Sequence, residues 1–400
     1  MISFFISWIQ SVFGCIKNRQ QHIIFITGAD INTFLNERKI SPFAFVLKKK
    51  LEAENIKSKI SAITIIDDHN CDYDFSVAPL MIFFEKIKLK RTTSWKLILM
   101  LLRPKALIVI DWDIALNKVC NSKKIKLYYL QHGVIASDHM YFGKNTLRNF
   151  STEYLPYGFL SWDDVSAKNF EYLCMTHVIG NQWNNGFFEN TFSEWFNCDE
   201  AALTLNNFKK PIILLTLTWG SHHSYIIPDY MIAVIRQTLN IYTWVIRLHP
   251  VVYMKKENRD EFEQFLDKNF TLEEKEKVFW KELSTLPLPL ILTKTKTHIT
   301  IESSVVIEAA QFGITSLILN HLVIQYGPNG ENTPPYGGPS YFKKEINQGY
   351  ALVYKKGLNI IDWISQQKVK VPLIDLEKNN MEWEKFLLSS CSSYKMYNNC

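Results

Sequence analysis

Several absences narrow the field before any motif is considered. No stretch approaches about twenty uninterrupted apolar residues, which excludes a chain threaded repeatedly through a membrane. Cysteine is sparse and unpatterned. The seven, Cys15, Cys71, Cys120, Cys174, Cys198, Cys391 and Cys400, include no Cys-x-x-Cys, so neither a zinc site nor a disulfide framework is expected, and a reducing cytoplasm is. Fifteen Gly and 14 Pro are too few for a collagen-like or linker-dominated chain. The net charge of +6, from 45 basic and 39 acidic residues, lacks the dense basic face of a nucleic-acid binder, so no nucleic-acid partner is expected.

What is present describes a folded protein. Hydrophobic residues make up 47% and charged residues 21%, too much apolar material for a disordered chain. At roughly 150 residues per domain, 400 residues suggest at least two. The start, MISFFISWIQSVFGCIKNR, is apolar with its charge after the apolar stretch, at Lys17 and Arg19, the reverse of a signal peptide. Residues 1–20 are expected to form an amphipathic segment with Phe4, Phe5, Trp8, Ile9, Val12 and Phe13 on one side. It would lie in a membrane interface or pack on the protein's own body. The short basic runs, Lys48 to Lys50, then Lys86, Lys88, Lys90 and Arg91, then Lys123 and Lys124, fall in the first third. They read as solvated faces or as a surface turned toward anionic lipid or an anionic substrate.

From residue 22 onward, apolar runs of strand length alternate with helix-length patterns. HIIFIT (22–27), ISAITII (60–66), ALIVI (106–110) and KLYYL (126–130) are expected strands, with shorter ones near 160–162 and 178–180. A second series follows: strands at 212–217, 244–248, 298–301 and 315–319, with helices between them at 229–239, 257–269 and 304–312. Continuous apolar strands separated by helices imply parallel sheets covered on both faces. The expected fold is α/β, two Rossmann-like domains facing a cleft, with ligands at the carboxyl ends of the strands. Their expected limits are 21–185 for the first domain, 186–210 for an Asn- and Phe-rich linker, 211–370 for the second domain and 371–400 for a C-terminal helix and tail. That helix could cross back to the first domain.

The chemistry-bearing candidates all follow strands. In HITIESSVVIEAAQFG, Ser303 could cap a helix starting at Ser304, ending at Gly313, and the pair could hold an anion at the helix N-terminus. Glu308, about one and a half turns on, could accept from ribose hydroxyls. A well-capped βαβ helix explains the same residues without a ligand. In WVIRLHP, Arg247, His249 and Pro250 end a strand, and His249 could donate to a phosphate or a base. In LTLTWGS, Thr218, Gly220 and Ser221 suit phosphate contact, though no glycine-rich signature is present. His222 and His223 are not at metal spacing. In YLQHGVIASDH, Gln131, His132 and Gly133 leave a strand of the first domain. His132 is a candidate base, with Asp111 and Asp138 behind it, and Gly133 would allow close approach of a ligand. Asp111 and Asp113 also fit a helix N-cap beside a solvated acid.

In their order and spacing these segments, over roughly residues 105–325, resemble bacterial GT-B glycosyltransferases of the surface-polysaccharide type. The pattern is that of capsule-synthesis and Kdo- or sialic-acid-transferring enzymes, whose HP and SS motifs bind a cytidine nucleotide. Here those are His249-Pro250 and Ser303-Ser304. The Gln131-His132-Gly133 loop also looks like that of CDP-glycerol glycerophosphotransferases. The chain has no clear Asp/Glu-Asp/Glu-Gly motif as in some sialyltransferases. The resemblance implies transfer of a sugar, with CMP-linked Kdo or sialic acid as candidate donors, to a capsule, O-antigen or lipopolysaccharide glycan. The partners would be the nucleotide-sugar donor, a lipid-linked or glycan acceptor and an anionic membrane surface at the inner face of the cytoplasmic membrane. No cofactor and no metal are expected, since Asp111-Trp112-Asp113 falls in the first domain. Alternatives are a CDP-alditol (glycerol or ribitol) phosphotransferase, a sugar-nucleotide 2-epimerase and a non-catalytic nucleotide-sugar-binding subunit.

Overall fold

The computed structural model describes residues 2–17, 23–27, 33–35, 38–40, 42–53, 60–64, 75–110, 113–133, 135, 150–191, 205–218, 227–319 and 342–391. The chain divides into two compact units. Met1–Asn32, Arg38–Thr191 and Asp375–Cys400 form the first, and Thr33–Glu37 with Phe192–Ile374 the second.

In the first unit, helix Ile2–Lys17 (α1) precedes strand Ile23–Thr27 (β1), and helix Pro42–Ala53 (α2) precedes Ile60–Thr64 (β2) and Phe75–Ser76 (β3). Helices Ala78–Lys86 (α3) and Arg91–Leu102 (α4) lead to Ala106–Val109 (β4), and Ile114–Lys123 (α5) leads to Lys126–Leu130 (β5). Gly158–Ser161 (β6), Met175–Val178 (β7) and helix Gln182–Phe188 (α6) follow. The seven strands lie in the order β3-β2-β1-β4-β5-β6-β7, every pair parallel. All residues of β4 and β5 are buried, as strands covered on both faces must be. The chain runs from β1 out to β3, then crosses back to β4 on the other side of β1, so the sheet reverses direction at β1/β4.

The second unit repeats the plan. Ile212–Thr216 (β8), helix Asp229–Thr238 (α7), Thr243–Arg247 (β9), Pro250–Met254 (α8) and Lys256–Asn269 (α9) come first. Val278–Phe279 (β10), Thr295–Thr300 (β11), Val305–Gln311 (α10), Ser316–Ile318 (β12) and Ala351–Val353 (β13) complete the sheet. Its parallel order is β10-β9-β8-β11-β12-β13, reversing at β8/β11. Ile213, Leu215, Met231, Ile235, Trp244 and Phe262 form the centre of its core. The short strands β10 and β13 were not expected, because two or three apolar residues carry no periodicity.

The final helix, Leu376–Cys391 (α11), belongs to the first unit and packs against β7. Trp383, Phe386 and Leu387 are buried, and the Phe386 ring meets Tyr128 edge-on at 4.9 Å. Polar ties surround this apolar contact. Asn379 Nδ2 donates to Asn185 Oδ1 at 3.2 Å, Asn380 Nδ2 to Glu189 at 2.8 Å, and Lys50 Nζ to Glu189 and Asn380 at 3.1 and 2.7 Å. Lys126 is fully buried in β5, and its ammonium donates to the Ser389 carbonyl and lies over the Tyr157 ring at 5.3 Å. Those contacts offset a desolvation that would otherwise be costly. Gly180 has φ +75, and a side chain there would strike Asn379, so the glycine is what lets α11 approach.

Three expectations need correction. The span assigned to a linker, 186–210, begins inside α6, which Asn181 caps by accepting from the Trp183 N–H, and the boundary between units falls after Thr191. The second unit extends to Ile374 rather than 370. The N-terminal segment is a helix, but its apolar residues do not share one side. Ser11 and Cys15 are buried, and Trp8 and Val12 pack against the core beside α3 and α4, with the Trp8 and Phe83 rings 5.8 Å apart. Phe13, expected on that side, is 66% exposed. The side chains of Phe4 and Phe5 lie outside the described residues. Burial pushes the Cys15 thiol up to about 12, which makes it a small apolar core residue rather than a nucleophile.

Since α11 contributes the wholly buried Trp383 to the first unit, Trp383→Ala is expected to cost about 3–5 kcal/mol. Urea unfolding followed by circular dichroism measures it, and a loss under about 1 kcal/mol would mean that the helix adds little to that core.

Candidate functional site

In the second unit, three neighbouring strands deliver side chains to the carboxyl edge of the sheet. Thr216 of β8 is in register with Arg247 of β9 and with Thr300 of β11, so the residues just past these positions emerge side by side. They are Thr218 after β8, His249 after β9, and Ser303 with Ser304 after β11. All but Ser303 are half-buried. The strands flank the reversal at β8/β11, where the crossovers part to opposite sides and leave a natural ligand crevice.

Each loop is held by its own hydrogen bonds. Thr300 Oγ1 donates to the Thr216 carbonyl at 2.9 Å and accepts from the Ser303 N–H at 3.1 Å. The His249 carbonyl accepts from the Val252 and Tyr253 N–H groups, both at 2.9 Å, and Pro250 is the first residue of α8, three past the end of β9. Ser303 Oγ accepts from the Val305 N–H at 3.3 Å. The serine therefore caps, as expected, but the helix starts at Val305 and not at Ser304. The next two amides, of Val306 and Ile307, donate to the Ser303 and Ser304 carbonyls. The helix terminus thus offers an anion fewer amides than the sequence suggested, and the Ser304 hydroxyl, which makes no cap, is the better-placed donor.

Arg247 requires a clear correction. It is buried, and its guanidinium donates to the carbonyls of Leu283 and Leu286 at 3.0 and 2.6 Å, bracing the end of the short helix Lys281–Thr285 instead of facing a ligand. Burial lowers its pKa to about 10, and the charge of Glu308 acts against that shift. Glu308, half-buried on α10, therefore couples that helix to the end of β9. A residue missed by the sequence reading sits just behind. His298 of β11 is wholly buried between Thr216 Oγ1 at 2.8 Å and Ser316 Oγ at 2.9 Å, linking β8, β11 and β12. The signal was available, since a histidine inside a buried strand must find partners on both ring nitrogens.

In the first unit, Gln131 after β5 is buried and all four of its hydrogen-bonding positions are used. Oε1 accepts from the Trp162 N–H at 2.8 Å and the Ser161 hydroxyl at 3.2 Å; Nε2 donates to the Gly133 carbonyl at 2.9 Å and Ser166 Oγ at 3.0 Å. The amide locks the ends of β5 and β6 together, and His132 beside it is exposed. Gly133 does not use the left-handed region, and a side chain there would meet nothing within 4 Å among the described residues. Asp113 is an N-cap: Oδ1 accepts from the Ala115 and Leu116 N–H groups, and Oδ2 from Trp95 Nε1 at 2.8 Å. Asp111, Asp138, Gly220, Ser221, His222 and His223 lie outside the described residues. No group of three metal-capable side chains gathers among those described.

Two parallel-sheet α/β units, each reversing at its first strand, define a GT-B-type fold. No family model matches the sequence, and no curated protein matches it. Among solved structures the chain is similar to the UDP-GlcNAc 2-epimerase of Methanocaldococcus jannaschii in complex with UDP-GlcNAc and UDP, at 15% identity and TM-score 0.56, covering 92% of this chain and 99% of that one. The Neisseria meningitidis UDP-GlcNAc 2-epimerase bound to UDP-GlcNAc gives 14% and 0.58 over the same shares. The wall teichoic acid polymerase TagF, soaked with CDPG, gives 12% and 0.52, covering 97% of this chain and 98% of that one. At these identities the likeness is one of fold.

Burial pushes the His298 pKa from 6.5 down to about 3, so the unfolded chain takes up this proton first as the pH falls. Its share of stability is intact above pH 6.5 and is lost progressively toward pH 3. At pH 5.5 the loss amounts to about 1.4 kcal/mol. Urea titrations at pH 7.5 and 5.5 should show that pH-dependent difference shrink by this amount in His298→Asn; an unchanged difference would mean that His298 is not held neutral.

Proposed function

We propose that the chain is an enzyme of nucleotide-activated sugars in surface-glycan assembly, and that it transfers the glycosyl group to an acceptor hydroxyl. The observation that carries this reading is the emergence of Thr218, His249 and Ser304 from three adjacent strand ends at the reversal point of the second unit. Hydroxyl and imidazole donors at such a crevice suit the phosphates of a donor nucleotide, which become the leaving group. Glu308, one helix turn past Ser304, takes the ribose hydroxyls. In the reaction the acceptor oxygen bonds to the anomeric carbon, the bond from that carbon to the phosphate oxygen breaks, and the acceptor proton passes to a base. We assign the base to His132, exposed at the end of β5. The HP and SS pairs favour a cytidine nucleotide, with CMP-linked Kdo or sialic acid as the first donors to try and a capsule, O-antigen or lipopolysaccharide glycan as the acceptor class.

A second reading is supported by the similar structures themselves, several of which are UDP-GlcNAc 2-epimerases. In that case the chain would convert its nucleotide sugar with no acceptor. The teichoic acid polymerase keeps a CDP-alditol transfer in view as well. One experiment separates them. CMP-, CDP-, UDP- and GDP-linked donors are titrated by calorimetry, then incubated with and without glycan acceptors while free nucleotide and the donor's sugar are followed. Acceptor-dependent nucleotide release supports transfer, acceptor-free conversion of the sugar supports epimerisation, and binding without turnover makes the chain a binding subunit.

With the binding donor in hand, His249→Ala and Ser304→Ala are expected to weaken affinity by about 1.5–3 kcal/mol each, the worth of a hydrogen bond to a charged group. Ser304 is the cleaner probe, because Ser303 also caps the helix. Unchanged affinity in both folded variants would remove the nucleotide from this edge. His132→Ala should depress turnover by about 100-fold or more with little change in donor affinity; full turnover would discard it as the base.

A further inference from the structure

Helix α1 carries two apolar faces, and among the described residues only one is covered. Trp8, Ser11, Val12 and Cys15 turn inward against the core beside α3 and α4. On the opposite side, at spacings of three, four and three, come Ile6, Ile9, Phe13 and Ile16, of which Ile6, Phe13 and Ile16 are exposed and Ile9 is half-buried. A helix that only packed on its own protein would place polar residues along that second stripe. Here α1 holds no acidic residue, and Lys17 closes its last turn.

The neighbouring helix supplies charge. Helix α3 meets α1 through the Trp8–Phe83 ring contact, and the chain leaves it as Lys86-Ile87-Lys88-Leu89-Lys90-Arg91. Lys86, Ile87, Lys88, Lys90 and Arg91 are exposed, with Lys88 in the left-handed region. Across α1 and residues 82–91 there are five basic residues against the single Glu85; Arg91 is ion-paired with Asp113 at 3.0 Å, which leaves Lys17, Lys86, Lys88 and Lys90 to supply the charge. An apolar stripe beside alternating lysines and aliphatic residues matches an interface whose apolar layer lies under a film of negative charge. No helix of the described residues is long and apolar enough to cross a membrane, so such contact is made lying on the surface.

We infer that the outward stripe of α1 and the basic turn after α3 form a docking face for an anionic phospholipid bilayer. The apolar side chains enter the headgroup layer while the lysines stay with the phosphates. This inference is independent of the nucleotide-sugar reading, because it needs no donor and is tested without one.

The test is flotation of the full chain with neutral phosphatidylcholine vesicles and with vesicles containing phosphatidylglycerol, alongside light scattering of the protein alone. The expected result is a monomer that floats with the anionic vesicles, stays down with the neutral ones and is released by high salt. Phe13→Ser with Ile16→Ser, both at exposed positions, should lower binding about tenfold or more. Lys88→Glu with Lys90→Glu should lower it by at least a similar factor, and this pair decides the matter should the first variant misfold. Wild-type protein that remains soluble beside anionic vesicles overturns the inference, as does undiminished flotation of folded Phe13/Ile16 or Lys88/Lys90 variants. A dimer that the Phe13/Ile16 substitutions convert to monomer also overturns it, since the stripe would then belong to a second copy of the chain.

Discussion

A parallel sheet must be covered on both faces, because its strands are apolar on both sides and pair only with one another. Everything else in this protein follows from that constraint. The helices that do the covering occupy the faces, so polar chemistry is confined to the strand ends, and each sheet opens most where its strand order reverses. In the first unit that is β1/β4 and in the second β8/β11. The candidate residues cluster past strand ends for the same reason. A histidine or serine at mid-strand must be satisfied internally, as His298 is by Thr216 and Ser316.

The motifs divide their labour accordingly. In each, one polar side chain is buried and spent on bracing while a nearby one is less buried. Gln131 ties the ends of β5 and β6 and leaves His132 exposed. Arg247 holds the end of helix Lys281–Thr285, two residues before the half-buried His249. Ser303 fixes the entrance to α10 and leaves Ser304 uncommitted to the cap. Such braces contribute rigidity to the site, since a donor positioned on a locked turn loses little entropy when it binds a ligand.

The chain ends contribute to the first unit in different ways. Helix α11 is anchored on one side through Trp383, Phe386 and a ring of amide and ammonium contacts, with Met381 and Leu388 exposed on the other. Helix α1 is absorbed on one side and carries apolar residues on the other. The first unit is thus completed by residues from both ends of the sequence.

The amino-acid sequence by itself determined the two series of parallel strands, because continuous apolar runs such as ALIVI and IILLT are stable only when buried on both faces. It also placed its candidate residues in the turns after those runs, since His249-Pro250, Ser303-Ser304 and Gln131-His132-Gly133 follow the strands. The C-terminal helix expected within 371–400 was legible as well. Only the tertiary structure decided which member of each motif is buried as a brace and which is left more accessible. Arg247 was indistinguishable from a phosphate ligand until the carbonyls of Leu283 and Leu286, some forty residues further on, were folded against it. The return of the C-terminal helix to the first unit was anticipated, whereas the two-sidedness of α1 was hidden, because the sequence records that a face is apolar but not which surface will cover it.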